Sequence, residues 1–263
     1  MRSEVRRLLL IAVAYFGAAS LVVGVAKATD DEQALTQRPG ELSVAVYKNY
    51  APFSWRNDKG RLVGIDVDIA KALAEELGLR LSLREQVADE SVEDDLRNAV
   101  WKGHYLGGGT ADVMLHVPVD PVFAARNDQV AFVAPYFREQ VLMAFREDVG
   151  AIDGSPSSLI GARIGVEIDT LADTFVLSAL NGVLREQVSH YPSLRAAGQA
   201  LENGEIDAVI GNGSEVQAFC GAQEGVRLSR VALPGLQQTQ WDLGAAVKSD
   251  AAEPLGGKLN LAM

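Results

Sequence analysis

Residues 42–78, LSVAVYKNYAPFSWRNDKGRLVGIDVDIAKALAEELG, carry four distinct local signals in one run. Leu42, Val44 and Val46 alternate with small or polar residues, the two-residue period of a strand. It leads into Tyr50-Ala-Pro-Phe53, where proline removes a ladder donor and the chain must leave the sheet. Asn57-Asp58-Lys59-Gly60 has the composition of a tight turn. From Asp66 to Gly78 the spacing predicts a helix: Ile69, Leu73 and Leu77 fall on one face, Lys71, Glu75 and Glu76 lie elsewhere, and Gly78 supplies the stop. Strand, loop and covering helix open an α/β lobe.

This run resembles the start of a type II periplasmic solute-binding protein of the amino-acid-binding, family 3 group. There a strand is followed by an aromatic before A-P-F and then by a G-[FI]-D-[VI]-D helix, and Tyr50-Ala-Pro-Phe53 and Gly64-Ile-Asp-Val-Asp68 match both motifs. The resemblance covers roughly residues 40–250. It implies an α/β, two-lobed Venus flytrap fold with a ligand cleft between the lobes. Lobe 1 is expected from residues 40–138 and 242–263, lobe 2 from residues 139–241.

Length and composition fit that expectation. A chain of 263 residues, 48% of them hydrophobic, furnishes one or two domains with real cores. Its net charge of −11, with no basic stripe, argues against nucleic acid and against anionic membrane surfaces as partners. Arg2, Arg6 and Arg7 precede an apolar stretch from Leu8 to Val25, and Ala26-Lys27-Ala28 offers a small-x-small cleavage pattern. Residues 1–28 therefore predict a cleaved signal peptide, a mature chain beginning near Thr29 and residence in the periplasm; the competing reading is an uncleaved anchor, since the stretch reaches the lower edge of a spanning helix. Cys220, the single cysteine, excludes an intramolecular disulfide and lies far from any lipoprotein position.

Gly107-Gly-Gly109 lacks the following Lys-Ser/Thr of a phosphate-binding loop and is expected to be a flexible surface insertion. Ala111–Val117 and Val130–Ala134 predict strands, with Arg126 between them. The resemblance implies that an arginine nine residues before a Pro-Tyr pair grips the ligand carboxylate, and Arg126 stands nine residues before Pro135. A guanidinium suits that task, offering two parallel donors and keeping its charge when water is excluded. The neighbourhood departs from the family: His116-Val-Pro-Val-Asp-Pro-Val-Phe-Ala-Ala125 lacks the usual hydroxyls, Phe123 standing where a threonine is usual. His116 is either a hydrogen-bonding ligand residue or a satisfied structural histidine. No spacing motif joins it to His104 as a metal pair, and neither metal nor cofactor is expected.

Phe137–Phe145 resembles the crossover strand into a second lobe. There Ile160–Glu167 reads as turn then strand, and Thr170–Leu180 as the following helix, whose N-terminal turn in the family completes the carboxylate site. Thr170 is a ligand residue or simply an N-cap. The strand Ile206–Gly211 ends in Asn212, where family members that bind α-amino acids usually carry aspartate. Neutral Asn gives up a charge-assisted contact of about 1.5–3 kcal/mol for one of about 1, so an ammonium group is expected to bind less well. Leu243–Val247 is the expected return strand, after which the chain stops at Met263, short of the long closing helix usual in the family, and exposed apolar surface is expected there.

The site residues expected are Tyr50 and Trp55 as aromatic walls, His116, Arg126, Thr170 and Asn212. The function expected is binding of a small, amino-acid-like carboxylate for an ABC transporter permease. Two alternatives stand beside it: an accessory protein of a periplasmic quinoprotein alcohol or methanol dehydrogenase, from a faint resemblance around Ala111–Pro118, and a small-carboxylate dehydratase of the same fold. No G-x-S-x-G, paired-acid or HExxH signature is present, and Glu167 and His116 have no evident catalytic partner, so an enzyme is not expected.

Overall fold

The computed structural model describes residues 35–150, 152–232 and 240–262. The predicted signal segment, with Arg2, Arg6, Arg7 and the start near Thr29, lies outside the described residues. In chain order the elements are β1 (Glu41–Tyr47), β2 (Trp55–Arg56), β3 (Leu62–Val63), α1 (Ile65–Glu76), β4 (Arg80–Gln86), α2 (Val92–Leu96), β5 (Val113–Pro118), α3 (Pro121–Ala125) and β6 (Val130–Arg146). They continue as β7 (Ile164–Glu167), α4 (Leu171–Gly182), β8 (Val188–Tyr191), α5 (Leu194–Glu202), β9 (Ala208–Asn212), α6 (Gly213–Cys220), β10 (Val226–Arg230), β11 (Gln240–Lys248) and α7 (Gly257–Ala262).

β1 pairs in parallel with β4 and β5, and parallel strands must be covered on both faces. Val44 and Val46 pack with Ala70 and Leu73 of α1, while Ala45 points to the opposite face, with Met114, Leu96 and Val100. α1 buries Val67, Ala70, Leu73 and Ala74; Ile69 and Leu77 sit at the margin of that face and are only partly covered. The helix ends as the glycine predicts: Gly78 is left-handed at φ 65°, and its N–H and that of Leu79 return to the carbonyls of Glu75 and Ala74.

The second lobe repeats the logic. β7 pairs in parallel with β8 and β9, one face covered by Phe175 and Val176 of α4, the other by Leu194, Ala197 and Leu201 of α5 and Val216 of α6. Two long antiparallel strands connect the lobes. β6 pairs with β11 through Gln140 and with β9 from Val141 onward, so its partner changes within a single peptide step. A bulge in this crossing, around Gly244 and Ala245, accompanies left-handed Ala134, whose freed N–H donates to Asn260 Oδ1 at 2.6 Å. Leu255 and Leu259 are buried in the first lobe's core, so the terminal segment covers the apolar surface expected to be exposed.

The Gly107–Gly109 loop is tied down, in contrast to the flexible insertion expected. Arg84 donates to the carbonyls of Thr110 at 2.6 Å, Gly108 at 2.7 Å and Gly109 at 3.1 Å.

One glycine is decisive for the entry into α1. Gly64 adopts φ 132°, and a Cβ there would overlap the Phe53 carbonyl. Gly64→Ala is expected to destabilise the protein by about 2–5 kcal/mol, combining backbone strain with overpacking, and urea denaturation measures it.

Candidate functional site

The carboxyl ends of β1, β4 and β5 open toward one edge of the sheet, the place where open α/β sheets hold ligands. A cavity of about 300 Å³ lies there. Tyr47, Lys48 and Tyr50 line it after β1, Ala88 and Val92 after β4, His116 and Pro118 at the end of β5, and Trp241 and Leu243 on the crossing strand β11. Its size suits a small metabolite.

The aromatic wall is held from behind. Phe53 is fully buried and stacks on Tyr50 at 5.7 Å between centroids, while the His116 ring meets Tyr50 edge-on at 4.9 Å and Phe53 at 4.1 Å. Tyr47 donates its hydroxyl to buried Asp95 at 2.7 Å, which also accepts from Gln86 Nε2 and the Asp89 N–H. His116 has left-handed backbone at φ 64°, rare for a residue with a side chain. Its N–H donates to the Tyr136 hydroxyl at 2.8 Å, and that hydroxyl donates to fully buried Asp66 at 2.6 Å. His116 Nδ1 also points toward the same carboxylate, 3.5 Å from Asp66 Oδ2. Burial and the Asp66 charge hold the Tyr136 phenol above its ordinary pKa, so it stays a donor.

Across the cleft stand groups from the second lobe and the crossing strand. Asn212, at the end of β9, faces the Tyr50 hydroxyl and donates its amide to Glu215 at 3.1 Å. Glu139 of β6, almost fully buried, accepts from the Ser214 N–H and hydroxyl. Glu167 ends β7 and accepts the Leu194 N–H at 3.0 Å. Burial, then the charges of Glu167 and Glu139, push the Glu215 carboxyl up to about 7. Burial likewise raises Glu167 above the ordinary carboxylate range. Burial first, and then the Glu215 and Glu139 charges, push the Tyr50 phenol up. The three acids are not in the cavity lining itself, but their charges act on the Tyr50 phenol at its edge, and carboxylates so placed favour a cation beside them.

Of the residues expected from sequence, Tyr50, His116 and Asn212 come together at this cleft. Arg126 does not reach the cavity lining. Asp120 caps α3, Pro121 starts it, and Arg126 ends the turn, 65% exposed, over the Phe123 ring and 3.9 Å from Glu93. Trp55 pairs with Val63 in the β2–β3 ribbon, outside the lining, and Trp241 supplies the second large ring instead. Thr170 caps α4, its hydroxyl accepting from the Asp173 N–H and donating to the Glu167 carbonyl. Sequence reasoning missed Tyr47, Lys48, Trp241, Glu139 and Glu215. Glu215, one helical turn past Asn212, was within reach of a spacing argument; Glu139 meets Ser214 across 75 residues and was not.

Residues 42–101 match the family model of bacterial extracellular solute-binding proteins, family 3. The chain is 24% identical to an arginine-binding periplasmic protein of Mannheimia haemolytica over 64% of its own length and 62% of the other's. It is 26% identical to ABC transporter arginine-binding protein 1 of Escherichia coli K12, over 85% and 84% of the two chains. A solved ancestral cationic amino acid solute-binding protein superposes with a TM-score of 0.67 at 22% identity, covering 85% of this chain and 88% of that one. The fold is that of the two-lobed periplasmic binding proteins.

Burial of Glu215 beside other carboxylates changes how stability depends on pH. An acid whose native pKa lies above its unfolded value of 4.5 holds its proton more tightly when folded, so it weakens the native state as pH rises from 4.5, fully above about 7. Glu215→Gln is therefore expected to stabilise the unliganded protein at pH 8, on the order of 2–3 kcal/mol, and to leave it nearly unchanged near pH 4. Thermal unfolding of both forms across that range measures the difference.

Proposed function

We propose that the protein is a periplasmic solute-binding receptor that captures an amino acid with a cationic side chain and delivers it to an ABC transporter. The observation that carries this reading is the apposition of Tyr50, with its aromatic neighbours, and the Glu139, Glu167 and Glu215 carboxylates. A guanidinium or ammonium between them satisfies both sides: ring faces attract cations by their quadrupole, and the cation relieves the mutual repulsion of the acids. Asn212 removes the charge expected from the usual aspartate, and Glu215, bonded to it, restores one beside the same spot. The arginine-binding relatives support this class of ligand, and the periplasmic setting of the Mannheimia haemolytica protein supports the predicted export.

Ligand binding is expected to shift the lobes toward closure by the ligand's differential affinity for the closed state. Thermal unfolding against L-arginine, L-lysine, L-ornithine, L-glutamate and citrate tests the reading. A basic amino acid at one hundred times its dissociation constant stabilises by about 2.7 kcal/mol, a rise of roughly 5–10 °C for a chain of this size. Stabilisation by L-glutamate or citrate alone contradicts it.

A further inference from the structure

An amino acid also brings an α-carboxylate, and the arginine expected to receive it does not line the cavity. We propose that Lys48 takes that role, as the residue that anchors the carboxylate of a cationic amino acid; the assignment rests on the reading of the cleft given above.

Three arginines of the first lobe are committed elsewhere. Arg126 lies over Phe123 beside Glu93. Arg56 pairs with Glu85 and donates to the Gly60 carbonyl. Arg84 spends its guanidinium on the carbonyls of Gly108, Gly109 and Thr110. Lys48 differs on each count. It lines the cavity beside Tyr47 and Tyr50, and among the described residues its ammonium has no hydrogen bond or ion pair.

Its position is fixed although its charge is free. The Lys48 N–H donates to the Gln86 carbonyl at 2.7 Å, extending the β1–β4 ladder by one step, and the next residue, Asn49, turns the chain at φ 57°. The side chain therefore starts from a rigid point at the carboxyl edge of the sheet, on the lobe opposite the acidic wall. A flexible stem ending in three rotatable donors can meet a carboxylate without the planar register a guanidinium demands. The cleft is then polarised: a cation on the rim of one lobe and carboxylates on the other, matching a ligand with a negative head and a positive tail. His116 commits its backbone N–H to Tyr136 and turns its Nδ1 toward Asp66.

The test compares L-arginine with L-argininamide, in which a neutral amide replaces the carboxylate, by titration calorimetry on wild type, Lys48→Gln, Lys48→Arg and Arg126→Gln. Wild type and Arg126→Gln are expected to prefer L-arginine about tenfold or more, the size of one charge-assisted contact. Lys48→Gln is expected to lose that preference while binding L-argininamide nearly as wild type does, and Lys48→Arg to keep part of it. An unaltered preference in Lys48→Gln, or its loss in Arg126→Gln, overturns the assignment to Lys48 alone. Wild type binding neither L-arginine nor L-lysine overturns the reading of the cleft and the assignment with it. Unfolding midpoints without ligand show that each variant is folded.

Discussion

A single buried carboxylate organises the site. Asp66 is fully shielded from water in the first turn of α1, and a polar group so placed needs a hydrogen-bond partner. Tyr136 supplies the donor from β6, and its oxygen in turn receives the His116 N–H at the end of β5. Three elements distant in sequence are thereby locked at one point. The left-handed backbone of His116 is held by that bond, and the ring it projects sets the angle of Tyr50 and Phe53. Without this chain of bonds the aromatic wall has no fixed orientation.

The opposite wall stores unfavourable energy. Burial, and after it the charges of Glu167 and Glu139, push the Glu215 carboxyl up to about 7, and burial raises Glu167 as well. Backbone donors from Ser214 and Leu194 hold Glu139 and Glu167 in place, while Glu215 keeps a raised pKa. On the proposed reading, a cation placed beside Glu215 and Glu167 relieves the cost of burying them. The two crossing strands β6 and β11 carry this geometry, because Glu139 lies two residues before Val141, where β6 begins to pair with β9, and Trp241 lies opposite it on β11.

The parts of the fold written in local periodicity were legible. The strand from Leu42, the loop at Pro52 and the helix stopped by Gly78 all follow from spacing and from the two residues that break regular structure. Tyr50 follows β1, His116 lies in the last half of β5 and Asn212 ends β9, so the sequence pattern placed all three near the carboxyl edge of the sheet. Arg126 is absent from the cavity lining, since a nine-residue spacing fixes distance along the chain and not direction. The short helix capped by Asp120 rotates Arg126 away from the lining, toward Glu93. Lys48 and Tyr47 lay inside the most informative stretch yet carried no motif. The acidic wall was illegible because its members come from three separate elements and meet only through the sheet's long-range pairing. The terminal segment misled for the same reason: nothing near Leu255 or Asn260 in sequence records their partners in β6.

The central claim is that the cleft selects for positive charge on a ligand's side chain. Titration calorimetry with L-arginine and with L-citrulline, its neutral near-isostere, tests this most directly. L-arginine is predicted to bind about tenfold or more tightly, the difference between a charge-assisted and a neutral hydrogen bond in a desolvated site. Equal affinity for the two, tighter binding of L-citrulline, or no binding of either contradicts the account.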